Sequence, residues 1–230
     1  KSVILLIDEY DVPMARATSN GYYKEMLEIM KGFMQALKDN QCIKLAVITG
    51  CLKIAKESIF TGTNNFVSNT ITSSRLNEYY GFVQNEVDRI LEDAEIKGKG
   101  DIMKKWYDGY HFGDVDVYCP WDVMCYVDDL QKNPNAKPDE YWKDTSDNAI
   151  IRSFIDYAGA SITKKLETLM NGGYIIQRVD ENLTYDYLHS SEENLWSLMY
   201  LTGYLTQVRD YKNDDDWQDN MVALKIPNLE

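Results

Sequence analysis

Five consecutive apolar residues, Val3-Ile4-Leu5-Leu6-Ile7, run directly into Asp8-Glu9-Tyr10-Asp11, and no other stretch constrains the chain so tightly. Val3, Ile4 and Ile7 are β-branched, which favours an extended strand, and the unbroken apolar run predicts a strand buried on both faces of a parallel sheet. The carboxylates of Asp8 and Glu9 then stand at its carboxyl end, the edge at which open α/β sheets bind ligands. Acids in that place either serve chemistry or cap the next helix, and this stretch alone leaves both open.

The chemical reading is specific. A hydrophobic strand closed by Asp-Glu has the form of a Walker B strand in a P-loop NTPase. There Asp8 would hold Mg²⁺, and Glu9, turned the other way by the two-residue pleat, would polarise a water attacking a γ-phosphate. Val12-Pro13 breaks the strand, and Thr18-Ser19-Asn20-Gly21 supplies turn and capping residues. Tyr23, Met26, Leu27, Met30, Phe33, Met34 and Leu37 follow at spacings of three and four, an apolar helical stripe that predicts packing on the sheet. Ile43–Ile48 is a second strand, ending in Thr49-Gly50. A right-handed βαβ crossover leaves both strand ends on one edge, so Thr49 is expected on the same rim as Asp8 and Glu9. It can sense a γ-phosphate there or cap a helix. Lys53 and Lys56 come just past that rim, as phosphate contacts or as ordinary surface lysines.

Charge limits the partners. The 230 residues carry a formal net charge of -13, so the chain as a whole repels phosphate backbones and nucleic acid is a poor partner for it. Seventeen Tyr and five Trp point to packing between small helical elements or to a surface that binds protein. Cys42, Cys51, Cys119 and Cys125 form no CxxC pair, which argues against zinc and for reduced thiols in a cytoplasmic protein. With no signal peptide and no run of 18 apolar residues, no membrane contact is expected.

Further along, Gly81-Phe82 leads into a helix with Val83, Val87, Ile90, Leu91 and Ala94 on one face, closed by Lys97-Gly98-Lys99-Gly100. Asp101 is the expected N-cap of a short helix ending at Gly109, and Trp106, Tyr107, Tyr110 and Phe112 form an aromatic cluster that either stacks on a ligand or pins that helix. Val115–Tyr118 reads as a strand, Pro120 opens a helix through Leu130, and helices follow over 148–158 and 161–170. Strands are expected over 174–179 and 183–188. Ser190 and Glu193 form a capping box for a helix carrying Leu195, Leu198, Met199 and Leu201. A hairpin of 204–211 and 221–226 then surrounds an acidic loop. Helix followed by hairpin is winged-helix order, but Asp210, Asp214, Asp215, Asp216 and Asp219 in or beside the wing favour protein over DNA.

Together, LLIDEYDVP, VITG with Lys53 and Lys56 before SIF, YYGFVQNEV, KWYDGYHFG, VYCPWDVMCYV, LWSLMYLTGYLT and LKIPN resemble, in order and nearly end to end, the bacterial predicted AAA-ATPase-like family. That family resembles STAND and origin-recognition ATPases and often carries a PD-(D/E)XK nuclease-like domain after the LKIPN block. The resemblance implies that its Walker B acids fall on Asp8 and Glu9 and its sensor on Thr49. Many STAND ATPases contact nucleotide through a winged-helix histidine, but a lone His189 before a capping box reads as structural. The family's GxxxxGK[ST] loop occurs nowhere in the chain, which looks cut and is expected to bind ATP poorly by itself.

The expected fold is α/β then mostly α, in three parts. Residues 1–97 form a partial parallel P-loop NTPase sheet with the Walker B and sensor strands, 98–173 a helical lid-like region, and 174–230 a winged-helix-like α+β domain. The expected function is part of an AAA-like ATPase using Mg²⁺ and ATP in the full-length protein, with Asp8, Glu9 and Thr49 in the mechanism and Lys53 and Lys56 on phosphate. The rival is a regulatory or protein-interaction module, with a protein partner or self-association, on a degenerate NTPase fold that does not turn over.

Overall fold

The computed structural model describes residues 2–38, 40–52, 66–142, 159–183, 190–209, 211 and 221–230. In chain order their elements are β1 (Val3–Ile7), α1 (Val12–Asn20), α2 (Tyr23–Lys38), β2 (Ile43–Ile48), α3 (Gln84–Asp93), α4 (Gly100–Tyr107), β3 (Tyr110–Phe112), β4 (Val115–Val117), α5 (Pro120–Lys132), α6 (Ala160–Met170), β5 (Ile175–Arg178), α7 (Glu192–Leu201), β6 (Thr206–Gln207) and β7 (Met221–Lys225). A 3₁₀ turn covers Asn77–Tyr79. The fold is therefore mixed α/β with small sheets. The expected helix over 148–158, most of the strand over 183–188, His189 and the acidic wing with Asp210, Asp214, Asp215, Asp216 and Asp219 lie outside the described residues, as do Lys53 and Lys56.

Two compact units share the chain, each assembled from two sections of it. The first comprises Lys1–Ser68 and Arg178–Thr202, the second Asn69–Gln177 and Gly203–Glu230.

In the first unit β1 and β2 pair in parallel, with Ile4 opposite Leu45, Leu5 opposite Ala46, Leu6 opposite Val47 and Ile7 opposite Ile48. This register sorts the side chains cleanly by face. Leu5, Ile7, Ala46 and Ile48 are half-buried, whereas Ile4, Leu6, Leu45 and Val47 are exposed, Leu6 to 73 %. The sequence reading of a strand buried on both faces is corrected: among the described residues, one face of this two-stranded sheet is open. An apolar run signals burial on two sides only where something stands over each side.

The helices of this unit hold a second correction. Residues 12–20, read as a break and a turn, form α1. Pro13 sits in its first turn, where proline is tolerated, and Gly21 closes it at φ 77°, a left-handed conformation that glycine adopts without a Cβ clash. Thr18, Ser19 and Asn20, expected as turn residues, instead donate back to the carbonyls of Met14, Ala15 and Arg16 at 3.0, 3.3 and 2.7 Å. In α2 the predicted stripe buries Tyr23, Met30 and Met34, while Phe33 is left 43 % exposed. α7 is capped by Ser191, whose Oγ accepts from the Asn194 amide at 3.3 Å, one residue later than the predicted Ser190 box. Leu195 to Tyr200 are all buried, Trp196 completely.

The second unit is built around tyrosine. Val87 and Leu91 of α3, Met103 and Tyr107 of α4, Tyr118, and Val123, Tyr126, Val127 and Leu130 of α5 form one apolar cluster. α3 starts where the Glu86 carboxylate accepts from the Val83 amide at 3.0 Å. α4 starts at Gly100 with Lys99 as its cap residue, not with the predicted Asp101, which stands in the first turn and there complements the helix dipole. β3 and β4 form an antiparallel hairpin pairing His111 with Asp116. β6 and β7 form another, with β7 between β5 and β6 in the sheet. The predicted hairpin is thus present with a two-residue first strand. Helix α7, which precedes it in the chain, belongs to the first unit.

Candidate functional site

At the carboxyl ends of β1 and β2 the chain brings Asp8, Glu9 and Thr49 together. The strands arrive in register, since the Thr49 amide donates to Ile7 O at 2.9 Å and the Tyr10 amide to Thr49 O at 2.9 Å. The Thr49 hydroxyl donates to Asp8 Oδ1. The Glu9 amide donates to the same oxygen at 3.1 Å and lies 3.4 Å from Thr49 Oγ1. Glu9 has φ 51°, in the left-handed region that a residue with a Cβ seldom occupies. Such strain persists only where neighbours hold it, and it collects at functional sites. Asp8, Glu9 and Thr49 are all exposed, so the rim is open to a ligand.

Beneath the rim lies a buried layer that sequence reasoning passed over. Asp11 is 2 % exposed, and its two carboxylate oxygens accept separately from the backbone, Oδ1 from the Cys51 amide at 3.2 Å and Oδ2 from the Leu52 amide at 3.0 Å. It occupies the N-cap position of α1 without capping that helix through its side chain. The Tyr10 hydroxyl donates to Leu52 O at 2.7 Å. Gly50 has no room for anything larger: a Cβ there would stand 2.5 Å from the Tyr10 ring and 2.6 Å from Asp11 Oδ1. The available signal was the acid spacing itself, a third carboxylate two residues past Glu9 and directly before Val12-Pro13.

Electrostatics follow the same arrangement. The Cys51 thiol is pushed up to about 11, first by burial and then by the Asp11, Glu9 and Asp8 carboxylates. It stays protonated near neutral pH and is no nucleophile. Oxygen donors in an open, acidic setting suit a hard cation such as Mg²⁺, which takes one or two protein ligands and completes its shell from phosphate and water. Asp8 fits that role. Among the described residues no group of three or more His, Cys, Asp or Glu side chains is placed to enclose a metal by itself.

Residues 1–60 match the family model of the predicted AAA-ATPases. The match covers both strands, both helices between them and the rim, so the family resemblance carried by the N-terminal blocks is shown. An uncharacterized protein encoded in the vnfD 5' region of Azotobacter chroococcum mcd 1 is 26% identical over 233 residues, an alignment covering 99% of this chain and 41% of that protein. The chain therefore spans less than half the length of that relative. No solved structure matches it.

The other sequence candidates resolve differently. Tyr107 of the aromatic cluster is completely buried, and its hydroxyl both donates to Asp139 O and accepts from the Asp139 amide, each at 3.1 Å. The Tyr107 ring lies 5.7 Å from Tyr126 and 5.9 Å from Tyr141. Trp106, Tyr110 and Phe112 are half-buried. Of the two readings, packing is what the structure shows for Tyr107. No helix among the described residues is long and apolar enough to cross a membrane.

Proposed function

We propose that the rim of the first unit is the hydrolytic edge of a Mg²⁺-dependent ATPase, on the β1 and β2 strands of a P-loop NTPase sheet. The supporting observation is the convergence of the Asp8 carboxylate, the strained Glu9 and the Thr49 hydroxyl at the carboxyl edge of a parallel strand pair. Asp8 would hold the cation, and bound there it would offset the charge on the transferring phosphoryl group. Glu9, exposed beside it, would orient and deprotonate the attacking water. Thr49 would hold the Asp8 carboxylate in place and report on the γ-phosphate. No GxxxxGK[ST] loop occurs in this sequence, so these residues do not themselves supply a phosphate cradle of that kind. In the full-length protein Glu9→Gln is expected to lower the ATP turnover number about 100-fold or more, the scale of a lost general base. Equal rates would remove Glu9 from the mechanism.

One observation favours a second reading, a switch without turnover. Asp8 Oδ1 already accepts from both Thr49 and Glu9, as a purely structural acid would. A thermal shift with Mg-ATP in the full-length protein, without measurable turnover, would favour the switch.

A further inference from the structure

The grip of residues 10 and 11 on the segment that leaves β2 goes beyond the roles assigned to Asp8, Glu9 and Thr49. Four contacts fix residues 49–52: the Tyr10 amide on Thr49 O, the Asp11 carboxylate on the amides of Cys51 and Leu52, and the Tyr10 hydroxyl on Leu52 O. Tyr10, Asp11 and Leu52 are all nearly excluded from solvent. A Cβ on Gly50 would run into the Tyr10 ring and Asp11 Oδ1, so the clasp needs glycine there.

We propose that Asp11 is a positioning residue of the rim: by holding the Cys51 and Leu52 amides, its buried carboxylate sets where the Thr49 hydroxyl stands against Asp8. This rests on the ATPase reading above, and it assigns Asp11 no contact with substrate. The chemistry requires a carboxylate rather than its amide. Both oxygens face N–H donors, so both must accept. An asparagine in its place would have nearly the same shape but would turn an NH₂ group toward one of those donors, losing a hydrogen bond and leaving a buried amide unsatisfied. Charge-assisted bonds from a buried carboxylate are also the stronger kind. The effect reaches the reaction through Thr49, which only Gly50 separates from the clasped Cys51.

The test uses the full-length protein. Asp11→Asn is expected to lower kcat for ATP by about 10- to 100-fold while KM stays within about threefold, the range for losing a hydrogen bond to a charged group that matters to the reacting geometry. In the same variant, hydrogen exchange at the Cys51 and Leu52 amides should quicken at least about tenfold. An unchanged kcat in a folded Asp11→Asn protein overturns the proposal, as does a change in melting temperature alone. If the Asn variant does not fold, Tyr10→Phe carries the test, because it removes the hydroxyl bond to Leu52 and keeps the ring. A fall in kcat at constant KM then supports the clasp, and an unchanged kcat overturns it. Should the wild type turn over no ATP, the ATPase reading fails separately. The clasp is then judged by exchange alone, and unaltered protection of Cys51 and Leu52 overturns it.

Discussion

The acidic rim at the end of β1 and the tyrosine cluster around α4 and α5 use equally distinctive sequence, LLIDEYDVP in one and KWYDGYHFG with VYCPWDVMCYV in the other, yet they dispose of their polar atoms in opposite ways. At the rim Asp8, Glu9 and Thr49 remain exposed, bonded among the described residues to one another and to local backbone. In the cluster the tyrosine hydroxyls are each turned onto a partner of their own. Tyr107 brackets the Asp139 peptide, Tyr118 donates to Gln84 at 2.7 Å, Tyr126 to Ala136 O at 3.2 Å and Tyr141 to Asp129 at 2.7 Å. Glycine shows the same contrast with a common cause. Gly50 makes room for Asp11, whereas Gly109, at φ 109°, lets α4 end where a Cβ would stand 2.2 Å from the Pro227 carbonyl oxygen. Two equally distinctive motifs therefore part in the fate of their polar atoms, left at the surface in one and paired inside in the other.

Substitutions can break that contrast if it is wrong. The largest effect is expected from Tyr107→Ala, which empties a completely buried ring site and strands the Asp139 peptide. A loss of about 3–5 kcal/mol in urea unfolding is expected. A cost below about 1 kcal/mol would mean that the cluster is not the core of the second unit.

An intermediate effect should appear with pH. Glu230 is pushed up to about 8 from 4.5, mainly by burial, then by its hydrogen bond with Asp122 and the neighbouring charges of Asp122 and Glu140, against a lowering contribution from the Trp142 amide. Asp122 is itself completely buried. The folded state thus holds a proton that the unfolded chain releases. Its contribution is full below about pH 4.5, falls as pH rises and is lost through about 8. The urea midpoint of the second unit should decline over that window, and Glu230→Gln should flatten the decline. A slope that survives Glu230→Gln assigns the titration elsewhere.

The smallest effect sharpens the comparison from the other side. Leu6→Lys replaces an aliphatic side chain on the open face of β1 and should change stability by no more than about 0.5 kcal/mol, as exposed positions do. A loss several times larger would show that this face is covered in solution.

What the amino-acid order revealed depended on the range of the forces involved. The two strands, the helix α2 and the meeting of Asp8 with Thr49 were legible because periodicity and crossover handedness act locally or through topology. α1 was not, since Thr18, Ser19 and Asn20 satisfy helix carbonyls as readily as they make turns. Asp11 escaped notice for a different reason: among the described residues it bonds to backbone amides 40 and 41 residues away, and an amide carries no mark of identity in a sequence. Phe33 was misplaced because a stripe shows which side of a helix is apolar but not how wide its covering is.

The divided make-up of the first unit has a bearing on synthesis. A ribosome delivers β1, α1, α2 and β2 early, but α7, with Trp196 at its buried centre, follows only after all of the second unit's α3 to α6 has emerged. The nascent unit must wait unfinished while its neighbour's helices are being made, with one aliphatic face of β1 and β2 open. Any excised piece ending near residue 60 would remain permanently at that waiting stage.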